Sequence, residues 1–145
     1  MPQNKEPIFT LLGDISNNNI TGMNQLITLA AADYTGISAN YALVWTTNSL
    51  SGGYVRGIKF KAGGTNVATV ARIFINNGST PATATNNTFF GEVSLPATTA
   101  TNTAATVEIT YPLEMAIRAG FRIYVGLATA VAAGWTANAI AGQYE

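Results

Sequence analysis

The chain has 145 residues, 48% of them hydrophobic and only 10% charged, against about 25% charged in an average soluble domain. That length suits one domain with its own core, and the apolar share excludes global disorder. Seven basic and seven acidic residues cancel to a net charge of +0, so the clustered Lys and Arg that phosphate neutralisation needs are missing and nucleic acid is not expected as a partner.

Residues 1–21 read as a segment apart from the body at 22–145. Pro2 and Pro7 precede the patch Ile8-Phe9-Thr10-Leu11-Leu12, and Gly13-Asp14 and Ser16-Asn17-Asn18-Asn19 follow it. So short an apolar patch cannot form a core of its own. It reads either as an extended arm that docks Ile8, Phe9, Leu11 and Leu12 on another surface, or as an N-terminal edge strand of the body. The polar start carries no signal-peptide pattern, and no apolar run approaches the roughly 20 residues of a membrane span. The expectation is a chain made in the cytoplasm, neither secreted nor membrane-bound.

Residues 22–32 fit two periods. Met23, Leu26, Ile27, Ala30 and Ala31 match a helical face, whereas Leu26, Thr28 and Ala30 alternate; the strand-like chain downstream favours a strand. Residues 41–47 are rich in aromatic and β-branched types and stop at Ser51-Gly52-Gly53. Residues 54–61 alternate, placing Tyr54, Arg56, Ile58 and Phe60 on one face and Val55, Gly57, Lys59 and Lys61 on the other. Gly63-Gly64 and the earlier Gly52-Gly53 read as hairpin punctuation. Residues 67–75 are apolar on both faces, as in a central strand covered on both sides.

Asn76-Asn77-Gly78 opens a small polar loop, a strand follows at 88–95, and Pro96 stops it. Val107, Ile109 and Tyr111 alternate with polar residues until Pro112, where the run is expected to end. Leu113, Met115 and Ile117 fit a further strand or a short helix started by Pro112 and stopped by Gly120. Phe121, Ile123, Val125 and Leu127 alternate after Ala119-Gly120, which suggests a tight connection between strands. Trp135, Ala137, Ala139 and Ala141 begin a last strand. About eight antiparallel strands at regular spacing predict an all-β fold, a sandwich or jelly roll.

No histidine and no cysteine are present, which removes triad catalysis, thiolate chemistry and His/Cys zinc sites. No calcium-loop pattern and no phosphate loop occurs, so neither metal nor cofactor is expected. The remaining catalytic option is a carboxylate pair, with Glu92 and Glu108 on adjacent strands about 5 Å apart. Both fall opposite the apolar faces, where solvation or pairing with arginine is the simpler role. The Asn-x-Ser/Thr triplets at Asn19, Asn77 and Asn86 read as chance matches. Tyr34, Tyr41, Trp45, Tyr54, Tyr124 and Trp135 could offer stacking platforms for sugars. Trp45 shares the alternation of Tyr41 and Leu43 and reads as core, whereas Trp135, after Gly134 at a strand start, is the candidate exposed aromatic contact.

Asp33-Tyr34-Thr35-Gly36 leads into Tyr41-Ala42-Leu43-Val44-Trp45-Thr46, and Gly53-Tyr54-Val55-Arg56-Gly57-Ile58 and Ala71-Arg72-Ile73-Phe74-Ile75-Asn76-Asn77-Gly78 follow. With Ile117-Arg118-Ala119-Gly120-Phe121-Arg122-Ile123-Tyr124-Val125 and Ala141-Gly142-Gln143-Tyr144, residues 30–145 resemble the small jelly-roll cement, or head decoration, proteins of tailed bacteriophage capsids. The resemblance implies a non-enzymatic homotrimer on the capsid exterior of the virion, seated on the major capsid protein, with a terminal arm reaching across the shell. It carries no active-site motif. A receptor- or carbohydrate-binding sandwich from a phage fibre or baseplate, binding a cell-surface glycan, is the alternative; a glycan-active enzyme using Glu92 and Glu108 is a third reading.

Overall fold

β-branched and aromatic residues dominate the strands, and the connections hold the Gly, Asn and Pro that interrupt them. The computed structural model describes residues 25–144, so Ile8, Phe9, Leu11 and Leu12, expected in a docking arm, lie outside it. Eight strands form: β1 Gln25–Ile27, β2 Ala42–Thr46, β3 Gly53–Ala62, β4 Thr69–Asn76, β5 Asn87–Leu95, β6 Glu108–Ile117, β7 Arg122–Leu127 and β8 Trp135–Gln143. Among the described residues one 3-10 turn, Ala84–Asn86, precedes β5. Of the ambiguous stretch at 22–32, the described part holds a three-residue strand and no helix.

The strands make two four-stranded antiparallel sheets, ordered β1-β8-β3-β6 and β2-β7-β4-β5. This is an all-β sandwich, as the strand spacing predicts. β1 pairs with β8, β2 with β7, β3 with β6 and β4 with β5, a nested pattern in which the two halves of the chain fold back along each other. Among the described strands only β4 and β5 are sequence neighbours within one sheet. Every other connection crosses between sheets, so Gly52-Gly53, Gly63-Gly64 and Ala119-Gly120 punctuate crossings and not hairpins.

Trp45, Trp135, Ile58, Phe60, Ile73, Leu95, Ile123 and Leu127 fill the space between the sheets. Full burial of such side chains stabilises by roughly 1.5–3 kcal/mol each. A second, smaller cluster lies on the outer face of the β2-β7-β4-β5 sheet, where Ala31 and Tyr41 cover Phe74. The segment at 28–41 therefore roofs β4, whose Ala71 and Ile73 face the main core while Arg72, Phe74 and Asn76 are buried beneath the roof. The expected two-sided burial of this strand holds. Gly36, at φ 75°, brings the roof close: a Cβ there would meet the Phe74 ring at 2.9 Å.

Three further expectations need correction. In β3 the register shifts between Val55 and Gly57 against both β6 and β8, so Val55 joins Ile58 and Phe60 in the core while Tyr54, Arg56 and Lys59 face outward. Simple alternation fails there because the bulge inserts a residue. β6 runs through Pro112 without ending. It is an edge strand, the place in a sheet where proline is tolerated because only one side of the strand carries ladder bonds. Trp135 is 0% exposed and packs in the core, so it is no surface contact. Trp45, by contrast, is buried as its pattern predicts, although the shift between Leu43 and Trp45 sends Tyr41 to the outer cluster.

Candidate interaction surfaces

The carboxylates are distributed, not gathered. Glu92 on β5 faces Arg72 at 3.6 Å, Glu108 on β6 faces Lys59 at 3.1 Å, and Glu114 on β6 faces Arg56 at 3.8 Å and accepts a hydrogen bond from the Tyr54 hydroxyl at 2.7 Å. Glu92 and Glu108 belong to different sheets, each paired on its outward side, so the structure does not bring them together. Among the described residues no group of three His, Cys, Asp or Glu side chains could hold a metal ion. No helix among them is long and apolar enough to cross a membrane.

What the outer face of the β2-β7-β4-β5 sheet does gather is aromatic. Arg72, nearly buried, donates from Nη1 to the Ala32 carbonyl at 2.6 Å, and the Tyr34 ring lies over its guanidinium at 3.8 Å. Tyr34 meets Phe89 edge-on at 5.4 Å, and Phe89 tilts against Phe74 at the same centroid distance. Tyr34 remains 57% exposed, and Phe89 and Phe90 are also exposed. The register shift between Ile73 and Phe74 against β5 explains why two consecutive phenylalanines both reach solvent.

The roof that carries Tyr34 is tied down by Asp33. Its Oδ1 accepts from the Thr35 N–H at 2.9 Å, the Thr35 hydroxyl at 2.8 Å, the Gly36 N–H at 2.6 Å and the Ile37 N–H at 3.2 Å. Burial pushes this carboxyl up, but the hydrogen bonds to its charged form outweigh that and hold it below its ordinary value. Beside it, burial and then the Asp33 charge push the Tyr41 phenol up to about 12. Its hydroxyl donates to the carbonyls of Ala31 and Asp33. A cleft of about 350 Å³ opens between β1 and the start of β2, lined by Leu26, Thr28, Leu29, Asn40 and Leu43.

Of the aromatic residues flagged by sequence, Tyr34 is at the surface cluster while Trp45 and Trp135 are internal. Phe89 and Phe90 escaped notice, though their adjacency was a signal: on a regular strand only one of two neighbours can face the core. No protein-family model, no curated protein and no solved structure matches the chain.

Proposed function

We propose that this chain is a structural cement protein of a phage head, a jelly roll that binds the outer surface of the major capsid protein shell as a homotrimer. The observation that carries the reading is the nested pairing of β1 with β8, β2 with β7, β3 with β6 and β4 with β5. It supports the jelly-roll assignment, an eight-strand winding of two Greek keys common in capsid proteins. Exposed Tyr34, Phe89, Phe90 and Leu50 on a surface of low charge support a life spent against other surfaces. The ion pairs engaging Glu92, Glu108 and Glu114 support binding over a carboxylate mechanism. On this reading the chain resides on the capsid exterior, with residues 1–21 as the docking arm.

Sedimentation equilibrium of the purified chain and its cosedimentation with heads of the encoding phage test this. A trimer mass and saturable binding to heads, lost when residues 1–20 are deleted, are expected. A stable monomer that leaves heads bare sinks the proposal. The grouping of Tyr34, Phe89 and Phe90 favours one second reading, glycan binding by a fibre or baseplate module, since exposed rings stack on sugar faces. Under it a monomer would bind a surface glycan, and Tyr34→Ala would abolish that binding.

A further inference from the structure

Most cations of the described sandwich are already engaged. Arg56, Lys59 and Arg72 face carboxylates, and Lys61 donates to the Thr106 carbonyl. Arg118 and Arg122 are different: neither has a carboxylate within 4.0 Å among the described residues. Both sit at one end of the sandwich, where three connections distant in sequence pack together. The Gly120 N–H donates to the Asn48 carbonyl at 3.0 Å, and the Thr47 hydroxyl donates to the Arg118 carbonyl at 2.9 Å. Arg122 lies opposite Thr46 on one side and Asn76 on the other. A Cβ on Gly78 would come within 2.7 Å of the Gly120 carbonyl oxygen.

Segments 46–52, 76–80 and 117–122, which build this end, contain no acidic residue. Tyr144 also reaches it through the Ser51 hydroxyl, and Glu145, the next residue, lies outside the described residues. From the same end projects Leu50, 89% exposed, the most exposed large hydrophobic side chain of the described residues.

We infer that this end, which carries Arg118, Arg122 and the exposed Leu50, docks on an acidic protein surface that also offers an apolar spot. The inference rests on the reading of the chain as a surface-binding protein and names the end that meets the partner. Guanidinium forks match carboxylates bidentately. A nucleic acid would reward more cations than two and would gain little from Leu50. An anionic membrane would likewise favour a larger basic cluster. Two arginines with no carboxylate partner among the described residues, on an end that also exposes one large apolar side chain, fit a protein face best.

Fluorescence anisotropy of a labelled peptide of repeated Glu-Glu-Leu, titrated with the full chain at low salt, tests this. Oligodeoxythymidine of equal charge and phosphatidylserine liposomes serve as competing probes. The peptide should bind best. Arg118→Gln with Arg122→Gln should weaken it about three- to tenfold, Leu50→Ser should weaken it severalfold, and Lys59→Gln, toward the opposite end of β3, should leave it unchanged. Unchanged peptide binding in the double variant, equal loss in Lys59→Gln, or tighter binding of the oligonucleotide or liposomes overturns the inference. So does full head binding by the double variant, although that result leaves the cement reading standing. Wild-type chain that ignores heads but shows the expected peptide series removes the cement reading and keeps the acidic docking end.

Discussion

Asn66, on the connection between β3 and β4, uses its whole side-chain amide. Nδ2 donates to the Gly64 carbonyl at 3.3 Å and the Gly134 carbonyl at 2.9 Å, while Oδ1 accepts from the N–H groups of Ala133 and Gly134, both at 2.9 Å. Its backbone exchanges hydrogen bonds with Thr98, so one buried residue ties three connections across the end opposite Arg118. Asn66→Ala would strand buried donors, each costing about 1–3 kcal/mol. A loss of about 2–4 kcal/mol is expected, seen in urea denaturation as a lower midpoint at unchanged slope. A loss below the range of ordinary surface substitutions would show that the network is dispensable.

The Asp33–Tyr41 pair sets a pH signature at the same scale. The folded Asp33 value lies below the unfolded one, so its contribution is complete above the ordinary carboxyl value of 3.8 and is lost as pH falls through the folded value. Tyr41 is raised, so its contribution is complete below its ordinary value of 10.0 and fades as pH climbs to about 12. Denaturation midpoints measured across pH should show both flanks. Asp33→Asn should flatten the acid flank and Tyr41→Phe the alkaline one. Parallel curves for wild type and variants would remove these two groups as the cause.

At the level of elements, β7 and β8 were legible because nothing interrupts their alternation. Ile123, Val125 and Leu127 are all buried, as are Trp135, Ala137, Ala139 and Ala141. β3 was not legible, because its side-chain phase is set by partners far away in sequence. A Cβ on Gly57 would lie 2.6 Å from the Tyr111 carbonyl oxygen, and across the same irregularity Glu114 adopts φ 48°. No period-2 reading of residues 54–61 contains that contact. The aromatic surface was half legible for a similar reason. Tyr34 stands in an evident turn, but the bulge that exposes both Phe89 and Phe90 depends on β4. Gly57→Ala tests the constraint on β3. Backbone oxygen cannot swing aside as a side chain can, so a loss of about 2–3 kcal/mol is expected by thermal or urea unfolding. Val55→Ala, which only removes core contacts, would serve as the reference. A Gly57→Ala variant as stable as wild type would mean that the strands separate there at little cost.

For the whole molecule, nesting decides what must come together last. β4 and β5 meet across a short connection, whereas β1 with β8 joins Gln25 to Ala137 and β3 with β8 joins Gly53 to Gln143. Loop closure makes the outer pairs entropically expensive until the inner ones exist, so assembly should proceed outward from the β4–β5 hairpin. It also follows that the Arg118 end, built from the β2–β3, β4–β5 and β6–β7 connections, is complete only when both sheets have formed. Stopped-flow refolding should therefore fall in the millisecond-to-second range typical of sandwiches. Leu95→Ala on β5 should mainly slow folding, giving a high φ-value, and Trp135→Phe on β8 should mainly speed unfolding, giving a low one. Both side chains are buried in one core, so burial alone predicts no such split. A higher φ-value at Trp135 would place the nucleus at the β8 pairing and reverse the order in which the Arg118 end is assembled, and equal values would remove that order.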